Sequence, residues 1–215
     1  MPSSKASFTT TAVSILVCFL AISGVGAVIF FLVSGGANEK FSEFPLIVNS
    51  HVIFGAVYLL LAPLQFSKTI RFKSIDFHRW SGRLLVSVGL VAGTSALFLG
   101  IVIPYSGTPE QLVIGFFGSL FLLSLILSYL NVRQKKIQQH REWMIRALAI
   151  GLSIATMRFI FIPILILRAP SGQEIEMWSI ISFTIAFVLH SGFAEIWIHK
   201  TRTNPLKKVG AQIEQ

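Results

Sequence analysis

Two short phrases hold residue types that ligate metals and bind anions: HRWSGR at 78–83 and HREWMIR at 140–146. Each opens on His-Arg and carries a Trp and then a second Arg at the edge of an apolar run. His78 and His140 are candidate axial ligands for haem b, since paired imidazoles on facing membrane helices hold haem iron. Arg79, Arg83, Arg141 and Arg146 form a cationic group suited to phosphates, carboxylates or a lipid headgroup. Glu195 is a candidate counter-charge to Arg146 or Arg83. A further pair, His51 and Arg158, sits deep within apolar runs, where an ionisable side chain points to a ligand or transport role. The structural alternative for Arg158 is a bond to carbonyls freed by Pro163. There is one cysteine, Cys18, and no HExxH, P-loop or GxSxG signature, so the motifs lean away from an enzyme.

The elements that carry these groups are membrane spans. The chain has 215 residues, 53% of them hydrophobic and 13% charged, with 19 Phe and a mean hydropathy of +0.74. A soluble domain averages roughly 25% charged. The expected architecture is all-α: one integral membrane domain over 1–215, a polytopic six-helix transmembrane bundle. Its spans lie at about 12–33, 46–66, 81–103, 111–130, 143–167 and 178–198. Pro45, Pro104, Pro109 and Pro170 mark ends, whereas Pro63 and Pro163 fall inside spans.

The net charge of +9 does not imply nucleic acid, because the basic residues sit between apolar runs. Lys5, Lys68, Arg71, Lys73, Arg79, Arg133, Lys135, Lys136, Arg141, Lys200, Arg202, Lys207 and Lys208 fall on one side. Lys40 and Arg168, with Glu39, Glu43, Glu110, Glu174 and Glu176, fall on the other. The positive-inside rule then places both termini in the cytoplasm. Trp80, Trp143 and Trp197 mark that interface and Trp178 the opposite one.

Helical spacing gathers small and polar residues into stripes. They are His51, Gly55, Tyr58, Ala62 and Gln65 in span 2; His78, Gly82, Gly89, Gly93, Ala96 and Gly100 in span 3; and His140, Met144, Ala147, Gly151, Ala155 and Arg158 in span 5. Such faces are expected to pack inside the bundle, with spans 3 and 5 meeting. At about 1.5 Å per residue, Arg158 lies roughly 22 Å beyond Trp143, and His51 roughly 21 Å from Gln65. The two should therefore share a level in the outer half, in a polar pocket. Arg83, Arg146 and Glu195 should share a level just inside the other interface.

HVIFGAVYLLLAPLQFS, HRWSGRLLV, HREWMIRALAIGLSIATMRF and the closing AEIW together resemble a family of uncharacterised bacterial predicted membrane proteins, with HRWxGR and HRxWMxR motifs. The resemblance runs from about His51 to Trp197. It implies a multi-pass protein of the bacterial cytoplasmic (inner) membrane and brings no established activity. The topology is more loosely similar to transmembrane cytochromes b with two haems, although His51 finds only the deeper His190 as a partner for an outer haem. The expectation is a membrane binding, transport or accessory protein with a His/Arg-lined site. The alternative is a redox protein that binds haem b or a quinone through His78 and His140.

Overall fold

The computed structural model describes residues 4–33 and 42–202. Glu39, Lys40, Lys207 and Lys208, which entered the charge pattern, lie outside the described residues. The described chain forms seven helices: α1 (Ser4–Val33), α2 (Pro45–Phe66), α3 (Lys68–Lys73), α4 (Ile75–Val102), α5 (Thr108–Arg133), α6 (Ile137–Arg168) and α7 (Gln173–Thr201). All but α3 are long and apolar enough to cross a bilayer. The helices outrun the apolar windows at their basic ends, so His78 and His140 are helical. Six crossings put the start of α1 and the end of α7 on one side, called here the basic end.

Local chemistry sets the boundaries. Proline occupies the first turn of both α2 and α5, where its missing N–H costs nothing. Gly107 and Gly172 precede α5 and α7 with φ of 67° and 53°, a region glycine enters freely. Ser67 caps α3, its hydroxyl accepting from Ile70 N at 3.3 Å. Pro63 and Pro163 do lie inside α2 and α6.

Five helices close a ring: α2 packs on α4, α4 on α5, α5 on α6, and α1 on both α2 and α6. α7 lies outside it, against α6 and α5. Large apolar side chains such as Phe30, Leu112, Phe116 and Leu167 face outward, as lipid requires. Small residues share the inside with fully buried leucines such as Leu85, Leu125 and Leu148. Ala62 and Ala147 are fully buried, and so are Ser124 and Ser128. Ser124 returns its hydroxyl to the Leu120 carbonyl at 2.6 Å, which keeps a buried polar group satisfied while helices approach closely.

Tyr58 of α2 is the hub. A β-carbon built at Gly89 would stand 3.0 Å from its ring, and one at Gly151 would stand 2.6 Å from it. Phe121 of α5 meets the same ring edge-on, with centroids 5.4 Å apart. The stripes of spans 2, 3 and 5 therefore converge on one aromatic side chain. The expectation that spans 3 and 5 meet directly is corrected: α4 and α6 make no helix–helix contact. The Tyr58 ring stands between Gly89 of one and Gly151 of the other.

Candidate functional site

Above Tyr58, toward the end opposite the basic one, the ring lines a half-open cavity of about 160 Å³. α2 contributes His51, Gly55 and Tyr58; α4 contributes Ala92, Gly93 and Ala96; α6 contributes Gly151, Ile154 and Arg158. Gly24 of α1, Gly118 and Phe121 of α5 and Phe187 of α7 complete the wall. The lining is apolar except for three groups. His51 Nδ1 lies 3.0 Å from the Ala92 carbonyl oxygen. A carbonyl only accepts, so this bond puts a proton on Nδ1 and leaves the Nε2 lone pair of the neutral ring as an acceptor. Arg158 spends Nη1 on the Ile154 carbonyl at 3.0 Å and forms no ion pair among the described residues. The carbonyl that Pro163 frees by helical geometry is that of Phe159, so Arg158 does not serve that break. The Tyr58 hydroxyl is buried without a hydrogen-bond partner.

His51 and Arg158 thus line one cavity, as their shared depth implies. His190 does not join them: its Nε2 lies 2.7 Å from Thr156 Oγ1 in the α6–α7 seam, so the outer imidazole pair of a two-haem arrangement is not formed. Arg158 also borders a second cavity of about 330 Å³ between α1 and α6, walled by Ser23, Ala27, Phe159 and Ile162.

At the basic end the four expected arginines separate. Arg79 is exposed and faces Asp76 of its own helix at 3.5 Å; Arg83 is exposed. Arg141 and Arg146 instead turn toward α7. Arg146 binds Glu195 through two bonds of 2.6 and 2.9 Å and lies over the Trp143 ring at 4.6 Å. Of the two partners expected for Glu195, the structure selects Arg146. Arg141 Nη2 donates to Thr201 Oγ1 at 2.5 Å. Glu142 is buried and accepts from Gln138 at 2.9 Å and from Arg202 at 2.9 and 2.7 Å. That carboxylate holds the Arg202 guanidinium above its ordinary pKa.

His140 Nδ1 lies 2.8 Å from the Ser128 hydroxyl and 2.9 Å from the Ser128 carbonyl oxygen, while His78 Nδ1 is buried without a partner. No group of three His, Cys, Asp or Glu side chains is placed to hold a metal ion among the described residues.

Residues 48–198 match a family described as predicted membrane protein, DUF2306. The chain belongs to the DUF2306 family. No curated protein and no solved structure matches the chain. The DUF2306 match covers α3 to α6 whole, α2 from residue 48, α7 up to residue 198 and both His-Arg phrases, and it leaves α1 outside. The DUF2306 region therefore supplies His51, Tyr58 and Arg158, and α1 adds Gly24 and Val28 to the same cavity. Tyr58 was visible as a member of the span 2 stripe, but nothing in the sequence marked its hydroxyl as unsatisfied.

Proposed function

We propose that this multi-pass membrane protein binds a lipid-soluble molecule with a ring-sized, oxygen-bearing head, of the quinone/quinol class, in the cavity between α2, α4, α5 and α6. The observation that carries this reading is an apolar cavity whose only polar side chains, among the described residues, are a Tyr58 hydroxyl with no hydrogen-bond partner, the His51 ring and an Arg158 with no counter-ion. A cavity of roughly 150 Å³ takes a benzene-sized body. Arg158 donates to a carbonyl or oxyanion, and the His51 Nε2 accepts from a hydroxyl. That mixture suits a head that presents both. The crevice between α1 and α6, which shares Arg158, offers room for an apolar tail. No nucleophile–base pair lines the cavity among the described residues, which supports binding rather than catalysis. The basic end faces the cytoplasm of a bacterial inner membrane in this reading, on the strength of its Lys and Arg excess.

Native mass spectrometry of the full chain released from lipid nanodiscs tests the proposal, together with titration of a short-chain benzoquinone. Retention of a quinone-class lipid and saturable binding weakened in His51→Ala and Arg158→Leu are the expected results. Binding that is equal in wild type and both variants refutes the site. A redox alternative places haem b between His78 and His140. What supports it is the Ser128 carbonyl beside His140 Nδ1: a carbonyl only accepts, which favours a proton on Nδ1 and an available Nε2, the usual arrangement for a metal-ligating histidine. A reduced-minus-oxidised absorption spectrum, with a Soret band lost in His78→Ala, decides for it.

A further inference from the structure

At the basic end, buried polar atoms lack partners a second time. His78 Nδ1 of α4 and Arg141 Nη1 of α6 are both buried with no hydrogen bond among the described residues. They belong to a group of like character. His78 lies within electrostatic reach of Arg71 and His140, and Arg141 within reach of Arg71. Arg71 is exposed on α3 and pairs with no carboxylate among the described residues. The nearby carboxylates are committed elsewhere: Glu142 to Arg202 and Gln138, Asp76 to Arg79. Two guanidiniums and two imidazoles thus gather across three helices, and among the described residues the carboxylate within reach of Arg141, Glu142, is hydrogen-bonded to Gln138 and Arg202 instead. Two guanidiniums held near each other at a membrane interface are costly unless an anion neutralises them. A stranded buried donor adds the full desolvation cost of that group.

We infer that Arg71, His78 and Arg141 form a binding site for a phosphate group, with His140 at its edge. Phosphate supplies what the site lacks: up to two negative charges and several acceptor oxygens. Guanidinium binds it through charge-assisted, commonly paired hydrogen bonds. The phosphate can belong to a lipid headgroup of the adjoining leaflet or to a soluble anion. This site is separate from the cavity around Tyr58, so either proposal can fail alone.

The test uses the purified full chain in phosphatidylcholine nanodiscs. Inorganic phosphate is titrated by calorimetry, and the midpoint of thermal unfolding is measured with and without phosphatidic acid in the disc. The variants are Arg71→Gln, which alters an exposed side chain and leaves the fold alone, and His78→Gln. Saturable phosphate binding, weakened about tenfold in each variant, supports a soluble anion. A rise in midpoint with phosphatidic acid that both variants lose supports a lipid headgroup. No phosphate binding and no phosphatidic acid effect, or responses equal in wild type and variants, overturn the proposal. So does a Soret band that disappears in His78→Gln, because haem would then occupy the place.

Discussion

Replacing Tyr58 with Phe should move stability and affinity in opposite directions. The Tyr58 side chain is 3% exposed and its hydroxyl has no partner among the described residues. A buried, unsatisfied polar group costs about 1–3 kcal/mol relative to an apolar one of the same shape. Several waters fit in about 160 Å³, at roughly 30 Å³ each. They would find few protein partners besides His51, Tyr58 and Arg158, so the relief on removing the hydroxyl falls toward about 1 kcal/mol. Ligand-stripped Tyr58→Phe should therefore be more stable than wild type by that amount. A bound head that accepts from or donates to Tyr58 loses about 0.5–1.5 kcal/mol, a factor of roughly two to twelve in affinity. Equilibrium unfolding in mixed micelles measures the first quantity and benzoquinone titration the second. If the variant is less stable by 1 kcal/mol or more in the stripped state, the hydroxyl is structurally engaged and the reasoning about the site is wrong.

Adding a methyl group at Gly151 brings a β-carbon within 2.6 Å of Tyr58. Gly151→Ala should displace the ring and reduce benzoquinone binding at least as much as loss of the hydroxyl does; unchanged affinity would show that Tyr58 does not shape the cavity. In a double-mutant cycle, Arg146→Leu and Glu195→Gln should show coupling of about 0.5–1 kcal/mol. The figure is modest because the Glu195 side chain is 57% exposed and screened; strict additivity would argue against the pair. Between Glu142 and Arg202 the damage should be unequal. The Glu142 side chain is 7% exposed and that of Arg202 is 56%. Arg202→Ala strands a buried carboxylate, whereas Glu142→Gln leaves an arginine that water can reach. Denaturation should rank Arg202→Ala as the more harmful, and the reverse order would place the carboxylate in contact with water.

The spans were readable because lipid leaves little choice: a backbone that crosses it must satisfy itself in long apolar helices. The inward faces were readable for a related reason, since apolar side chains do not distinguish core from lipid and only small or polar ones mark the packed side. This is why His51, Tyr58 and Arg158 could be placed on inner faces, and why interfacial Trp residues gave the depth that pairs Arg146 with Glu195. The arginine cluster was misjudged from adjacency along the chain. At about 100° per residue, Arg79 points roughly 100° and Arg83 roughly 140° away from His78, and both reach the outside. Helix order around the ring depends on tertiary packing that no single stripe encodes, so the gap between α4 and α6 was not foreseen. In the sequence Arg71 shows only as one of the basic-end charges, because its helix is six residues long and lacks an apolar pattern.

The links between α6 and α7 have a bearing on how the protein is made. Apolar contact does not draw helices together in hydrocarbon, because lipid chains satisfy such surfaces equally well. α7 leaves the ribosome last among the described helices, so its partner surface is already inserted when it arrives. Four polar links spread along the seam await it, from Glu142–Arg202 and Arg141–Thr201 through Arg146–Glu195 to Thr156–His190. A slide of one helical turn, about 5.4 Å, would break all four together. The seam therefore fixes the register of α7: at another depth or rotation it could still pack its apolar side chains, but only this placement closes every polar link.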